Sequence, residues 1–244
     1  MQRKPDELIV EEPLEIRLDG HLVTTTMRTP GDDFELAAGL CFTDGLLGDA
    51  KVTGCRYCGE CGSAAETEFN IVTVETGGRA PVPRARVATT TSSCGICGSA
   101  SIDELRERVH PLRGLASFSP EVLAAAPDRV RARQELFDAT GGVHAAAAFT
   151  VDGEVVVVRE DIGRHNAVDK VVGRLLFDDL LPAHELALYA SGRASFEIVQ
   201  KAWAAGFAAV IAVSAPSALA VETARAAGLT LAGFARGNQM NIYT

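Results

Sequence analysis

From about residue 120 onward, helix and strand patterns alternate, and this alternation constrains the chain more than any other feature. Residues 120–137 read as helical, with Pro127 expected to kink or restart the helix. Residues 145–150 and 154–158 flank Asp152-Gly153 as a hairpin. Residues 166–177 place Val168, Val171, Val172 and Leu175 on one helical face. Strand patterns at 186–189, 207–213 and 229–234 then alternate with helical ones at 195–205 and 217–227, and Gly228 suits a left-handed cap on the last helix. The order α-β-β-α-β-α-β-α-β buries its apolar faces in layers, so the second half is expected to be an α/β sandwich.

The first 90 or so residues read differently. Residues 14–18 and 21–27 flank an Asp19-Gly20 turn as a β-hairpin. Thr29-Pro30-Gly31-Asp32-Asp33 leads into a helix at 34–40, with Asp32 or Asp33 expected to cap it. Residues 69–74 and 86–91 are further strand candidates. The expected division is a β-rich region at 1–91, a linker at 92–118 and an α/β domain at 119–244. With 244 residues the chain can build a core without disulfides or a metal. Its net charge of −9 disfavours a nucleic-acid platform but permits a local basic pocket. Residues 202–221 carry no charge, yet Gly206, Ser214, Pro216 and Ser217 interrupt them, so they read as a buried strand and a helix start. Residues 1–12 are charged and lack the apolar run of a signal peptide. A cytoplasmic protein with no membrane span is expected, and a homodimer, the commonest oligomer.

Five of the six cysteines fall in two clusters, Cys55-x-x-Cys58-x-x-Cys61 and Cys94-x-x-Cys97, and none follows residue 97. Clustering of this kind suits metal binding or sulfur chemistry in a reducing compartment. Ser92-Ser93-Cys94-Gly95-Ile96-Cys97-Gly98 reads as an accessible loop before a polar helical stretch. A helix N-terminus there would lower a thiol pKa and favour the thiolate that persulfide chemistry needs. Half of a zinc site is the competing reading, and zinc or iron at Cys55, Cys58 and Cys61 is a further one. Cys41 reads as core packing.

Three turns look ligand-facing. Arg159-Glu160-Asp161-Ile162-Gly163-Arg164-His165-Asn166 ends a strand and opens a helix, offering Arg159, Arg164 and His165 to phosphate. Ser191-Gly192-Arg193-Ala194-Ser195 repeats that arrangement. Phe234-Ala235-Arg236-Gly237-Asn238-Gln239 follows the last core strand. Together they point to one anionic, nucleotide-like ligand, against the plainer reading of surface loops.

The element order of the second half resembles the cytidine-deaminase fold. The zinc signature of those enzymes is incomplete here: there is no His-x-Glu, and Ser93 stands where Pro would precede the Cys-x-x-Cys. The pattern therefore speaks against deaminase activity.

Several motifs together resemble the FdhD family of formate dehydrogenase accessory sulfurtransferases. They are Arg28-Thr29-Pro30-Gly31-Asp32-Asp33-Phe34-Glu35-Leu36-Ala37, Cys94-Gly95-Ile96-Cys97-Gly98, Thr140-Gly141-Gly142-Val143-His144, the run from Glu160 to Lys170, Ser191-Gly192-Arg193 and Gly233-Phe234-Ala235-Arg236-Gly237. The resemblance implies a cytidine-deaminase-like three-layer sandwich with a small β-rich N-terminal subdomain. It further implies a cytoplasmic carrier that takes persulfide sulfur from a cysteine desulfurase. The sulfur passes to the molybdenum bis(molybdopterin guanine dinucleotide) cofactor destined for formate dehydrogenase. By motif position Cys94 is the implied persulfide carrier, Cys97 the second thiol, and Phe234 to Gln239 the cofactor-binding segment, which Arg164, His165 and Arg193 would supplement. A non-catalytic cofactor chaperone is the alternative.

Overall fold

The computed structural model describes residues 6–58, 69–83 and 110–244, and it is a mixed α/β fold with two sheets. Strands β1 (Glu12–Leu18) and β2 (His21–Arg28) form the expected hairpin, closed by left-handed Asp19 and Gly20. Helix α1 (Asp33–Thr43) follows. Asp32 occupies its N-cap but makes no side-chain cap bond, and the Asp33 carboxylate is taken by Arg28 at 2.9 and 3.1 Å. The expected aspartate cap is thus present in position only. Strands β3 (Gly54–Tyr57) and β4 (Ile71–Glu75) complete a sheet of order β2-β1-β4-β3, in which β1 and β4 run parallel. The strand expected at 86–91 lies outside the described residues.

Helix α2 (Pro120–Arg131) continues through Pro127 without restarting there, and the break falls at residues 132–134, before α3 (Glu135–Thr140). Strands β5 (His144–Thr150) and β6 (Val155–Asp161) form the second hairpin. Then come α4 (Arg164–Phe177), β7 (Leu186–Ala190), α5 (Phe196–Ala205), β8 (Ala209–Ala212), α6 (Ala218–Ala227) and β9 (Thr230–Arg236). Ser217 caps α6 through Ala220 N–H, and Gly228 ends it at φ 75°. A short strand that periodicity does not reveal, β10 (Gln239–Ile242), folds back on β9.

The second sheet has the order β10-β9-β8-β7-β5-β6. Alternate residues divide its core. Ala146, Ala148, Leu188 and Val210 face α4, α5 and α6, while Ala147, Phe149, Tyr189 and Ile211 face α2. Strands β7, β8 and β9 are parallel, and β5 is antiparallel to both β6 and β7. The C-terminal ends of β6, β7, β8 and β9 therefore share one edge with the start of β5.

The two sheets are joined by α1 crossing α4 at glycines. A Cβ on Gly39 would lie 1.9 Å from the Asp169 carbonyl oxygen, and one on Gly173 1.9 Å from that of Glu35. Only hydrogen side chains permit backbones this close. Among the described residues, no helix is long and apolar enough to cross a membrane.

Candidate functional site

The shared edge gathers the turns singled out in the sequence. After β6, Gly163 is the N-cap of α4 and leads into Arg164 and His165; after β7, the turn with Arg193 ends at Ser195, the N-cap of α5. Neither N-cap residue makes a side-chain cap bond, and at α5 the first-turn Glu197 carboxylate accepts its own backbone N–H and the Ser195 hydroxyl instead. Backbone bonds tie neighbouring turns together: Ser214 N–H donates to Gly192 O at 3.3 Å, and Phe234 N–H to Ser214 O at 3.2 Å.

The third turn differs in kind from the expectation. Residues 234–239 are a β-hairpin rather than a strand-to-helix turn: β9 runs through Arg236 and β10 begins at Gln239. Ala235 points into the core and is fully buried, so its side chain has no ligand-facing surface. Phe234, left-handed at φ 54°, is half exposed, and Arg236, Gly237, Asn238 and Gln239 are exposed.

Charge is distributed unevenly. Among the described residues Arg164, Arg193 and Arg236 have no carboxylate partner, and the buried Nε of Arg164 has no hydrogen bond at all. Arg159 is not free for phosphate: Glu35 binds its Nε at 2.5 Å and a second guanidinium nitrogen at 2.8 Å. Asp161 and Asn166 are likewise spent internally. The Asp161 carboxylate receives Thr29 N–H, Gly163 N–H, the Asn166 amide and, at 2.9 Å, Lys170 Nζ, while the Asn166 amide also donates to Met27 O. Asp169 receives Thr43 Oγ1 and Lys201 Nζ, each at 2.8 Å. Glu160 caps α3 by accepting Leu136 and Phe137 N–H. Most of the run from Glu160 to Lys170 thus fastens α4 to the N-terminal sheet and its loop, leaving Arg164 and His165 for the edge.

His165 Nε2 lies 3.4 Å from Ser195 Oγ and 3.5 Å from Glu197. The hydrogen bond from His165 holds the Glu197 carboxyl at about 2, against the opposing effect of burial. His144, at the start of β5, is a residue of this edge that its type alone does not reveal; its place in the Thr140–His144 motif is the signal that could find it. Its Nδ1 lies 3.3 Å from Ser191 Oγ, which accepts Ala145 N–H at 2.9 Å. Burial first, then the charges of Arg164 and His165, push its pKa down, which favours the neutral ring. Gly192 sits between the two: a Cβ there would touch Arg164 Cδ at 3.4 Å and His144 at 3.5 Å. Beside His144 opens a cavity of about 540 Å³, lined among others by Gln134, Phe137, Ile162, Tyr189 and Ser191. Its size and its mixture of apolar walls with few polar groups are those of a small-molecule site.

The cysteines divide. Cys41 is core, as expected. Cys55 lies in β3 rather than in a loop, and burial, then the charge of Glu75, pushes its thiol up to about 12. Cys58 takes part in a disulfide. Among the described residues no cluster of three His, Cys, Asp or Glu is arranged to hold a metal. Cys61, Cys94 and Cys97 lie outside the described residues.

A sequence profile of the FdhD/NarQ family matches residues 9–244. The chain belongs to the FdhD/NarQ family. It is 50% identical to the "Sulfur carrier protein FdhD" of Streptomyces avermitilis over 251 aligned positions, covering 98% of this chain and 88% of that one. Against the protein of the same name from Nocardia farcinica it is 51% identical, covering 99% and 88%. A crystal structure from Desulfotalea psychrophila, described as a formate dehydrogenase accessory protein, superposes with a TM-score of 0.76 at 23% identity, covering 98% and 89%. That structure shares the fold of this FdhD/NarQ chain.

Proposed function

We infer that this protein is a sulfur carrier with a cytidine-deaminase-like α/β domain. Cys94 accepts persulfide sulfur from a cysteine desulfurase and passes the outer sulfur to molybdenum bis(molybdopterin guanine dinucleotide) before that cofactor enters formate dehydrogenase. On loading, the Cys94 thiolate attacks the outer sulfur of the desulfurase persulfide, forming a new S–S bond as the old one breaks and the desulfurase thiolate leaves. On delivery that S–S bond breaks, Cys94 leaves as thiolate, and the accepting cofactor supplies the two electrons that take the sulfane sulfur to sulfide. Cys97 is the second thiol of the same Cys-x-x-Cys motif.

The observation that carries this reading is the convergence of Arg164, Arg193 and Arg236, none with a carboxylate partner among the described residues, on one sheet edge of a chain with net charge −9. An unpaired guanidinium is matched to a phosphate. From β9 to β6 the edge crosses four strand spacings, ~19 Å, a span suited to an elongated ligand with separated phosphates.

The test is intact-mass spectrometry after incubation with an active cysteine desulfurase and cysteine. The expected result is an addition of about 32 Da on Cys94, absent in Cys94→Ala. No addition overturns the carrier role. A Cys94→Ala protein that still supports full formate dehydrogenase activity selects the chaperone alternative.

A further inference from the structure

Ahead of β1 the chain runs as an arm, residues 6–11, outside any helix or strand. Among the described residues, no backbone N–H or carbonyl of this arm makes a hydrogen bond. Leu8 is 83% and Val10 53% exposed, which a packed segment would avoid. Two attachments set the arm's place. Glu12, where it enters β1, pairs with Arg28 at 3.3 Å. Ile9, half-buried between exposed Leu8 and Val10, rests on Gly142, where a Cβ would lie 3.2 Å from its Cγ2.

That anchor lies at the sheet edge. Gly142 is two residues before His144 and lines the same cavity. Gly192 separates His144 from Arg164, each within 3.5 Å of where its Cβ would stand. The arm and the edge carry opposite, unanswered charges. Asp6, Glu7 and Glu11 are exposed and pair with no cation among the described residues. Arg164, Arg193 and Arg236 pair with no carboxylate there, and the Nε of Arg164 is a buried donor without an acceptor. A buried N–H with nothing to bind is costly, so that spot calls for an anion. From Ile9 the chain extends by about 3.5 Å per residue, so Asp6 and Glu7 swing within a radius of about 10 Å around their anchor.

We propose that residues 6–11 are an autoinhibitory strap, whose carboxylates compete with a ligand's phosphates for the edge arginines. The structure shows the strap seated on its anchor with its carboxylates off the arginines. Ile9 on Gly142 keeps them close: a tethered carboxylate competes at high effective concentration, although each exposed contact is weak. With no backbone bonds to break, the arm moves on and off without disturbing a strand. The inference depends on the reading above, in which the arginines hold the phosphates of a nucleotide-bearing cofactor.

Calorimetric GDP binding to the full chain at low salt tests it, with two variants. Asp6→Asn, Glu7→Gln and Glu11→Gln together remove the competing charge and keep the anchor. Ile9→Ser frees the anchor and keeps the charge. The triple variant is expected to bind GDP about fivefold more tightly than the parent, the equivalent of one exposed ion pair. Ile9→Ser is expected to move the same way, by about twofold or more. An unchanged affinity in the triple variant overturns the strap. A gain there with none in Ile9→Ser also overturns it, because the carboxylates would then act as a distant field rather than from a fixed seat. GDP binding by both variants and not by the parent supports the strap in its strongest form. No GDP binding by the parent or either variant overturns the cofactor reading, and the strap with it.

Discussion

The seam between the two sheets and the open edge of the larger sheet treat charge in opposite ways. At the seam, Arg28, Arg159, Lys170 and Lys201 each meet a carboxylate, and Asp161 alone gathers four donors. At the edge, Arg164, Arg193 and Arg236 meet none among the described residues. The two regions are a few residues apart in one motif: Asp161 and Lys170 belong to the seam, Arg164 between them to the edge. The contrast teaches that charged residues in a dense motif have separate duties according to whether the fold has already satisfied them.

Breaking the seam has the largest expected effect. Asp161→Ala leaves the Lys170 ammonium, 1% exposed, without its carboxylate, and should cost about 3–5 kcal/mol of stability. Urea denaturation measures it; a loss below about 1 kcal/mol, ordinary for a surface change, would erase the distinction between the regions. At the edge the opposite is expected. Arg193→Ala and Arg236→Ala should each change stability by no more than about 0.5 kcal/mol. Each should weaken GDP binding about tenfold, more so at low salt. Calorimetry beside a melting curve reads both; destabilisation without weaker binding would move these arginines to the structural side. The smallest effect sharpens the boundary through pH. Glu197 has its carboxyl held at about 2 in the fold, below its ordinary 4.5. Its contribution is present above pH 4.5 and is lost as pH falls toward 2. The stability gap between the parent and Glu197→Gln should therefore close over that window in acid unfolding curves. A gap that stayed constant would dissociate Glu197 from His165.

The sequence made the long, periodic elements legible. Residues 14–27 and 145–158 alternate cleanly and form hairpins; Ser217 and Gly228 bracket α6 as their chemistry dictates. Two four-residue strands, β3 and β10, were not legible, because neither alternates for long enough to differ from a loop. Pro127 looked like a break, but it sits past the first turns of α2, whose buried Leu123, Ala126 and Val130 keep the helix packed on the sheet. Within the site, types and spacing located the turns but not the directions in which their side chains face. Arg159, Asp161 and Asn166 looked as available as Arg164, and only the docking of α1 on α4 spends them.

The glycine crossing of α1 and α4 has a mechanical consequence. Where side chains separate two helices, rotamer changes can absorb a shift of one against the other. Gly39 and Gly173 leave no such cushion, because backbone rests on backbone. A push on the N-terminal sheet is therefore transmitted along α4 as along a rigid rod. Arg164 and His165, at the head of that rod, must travel with it.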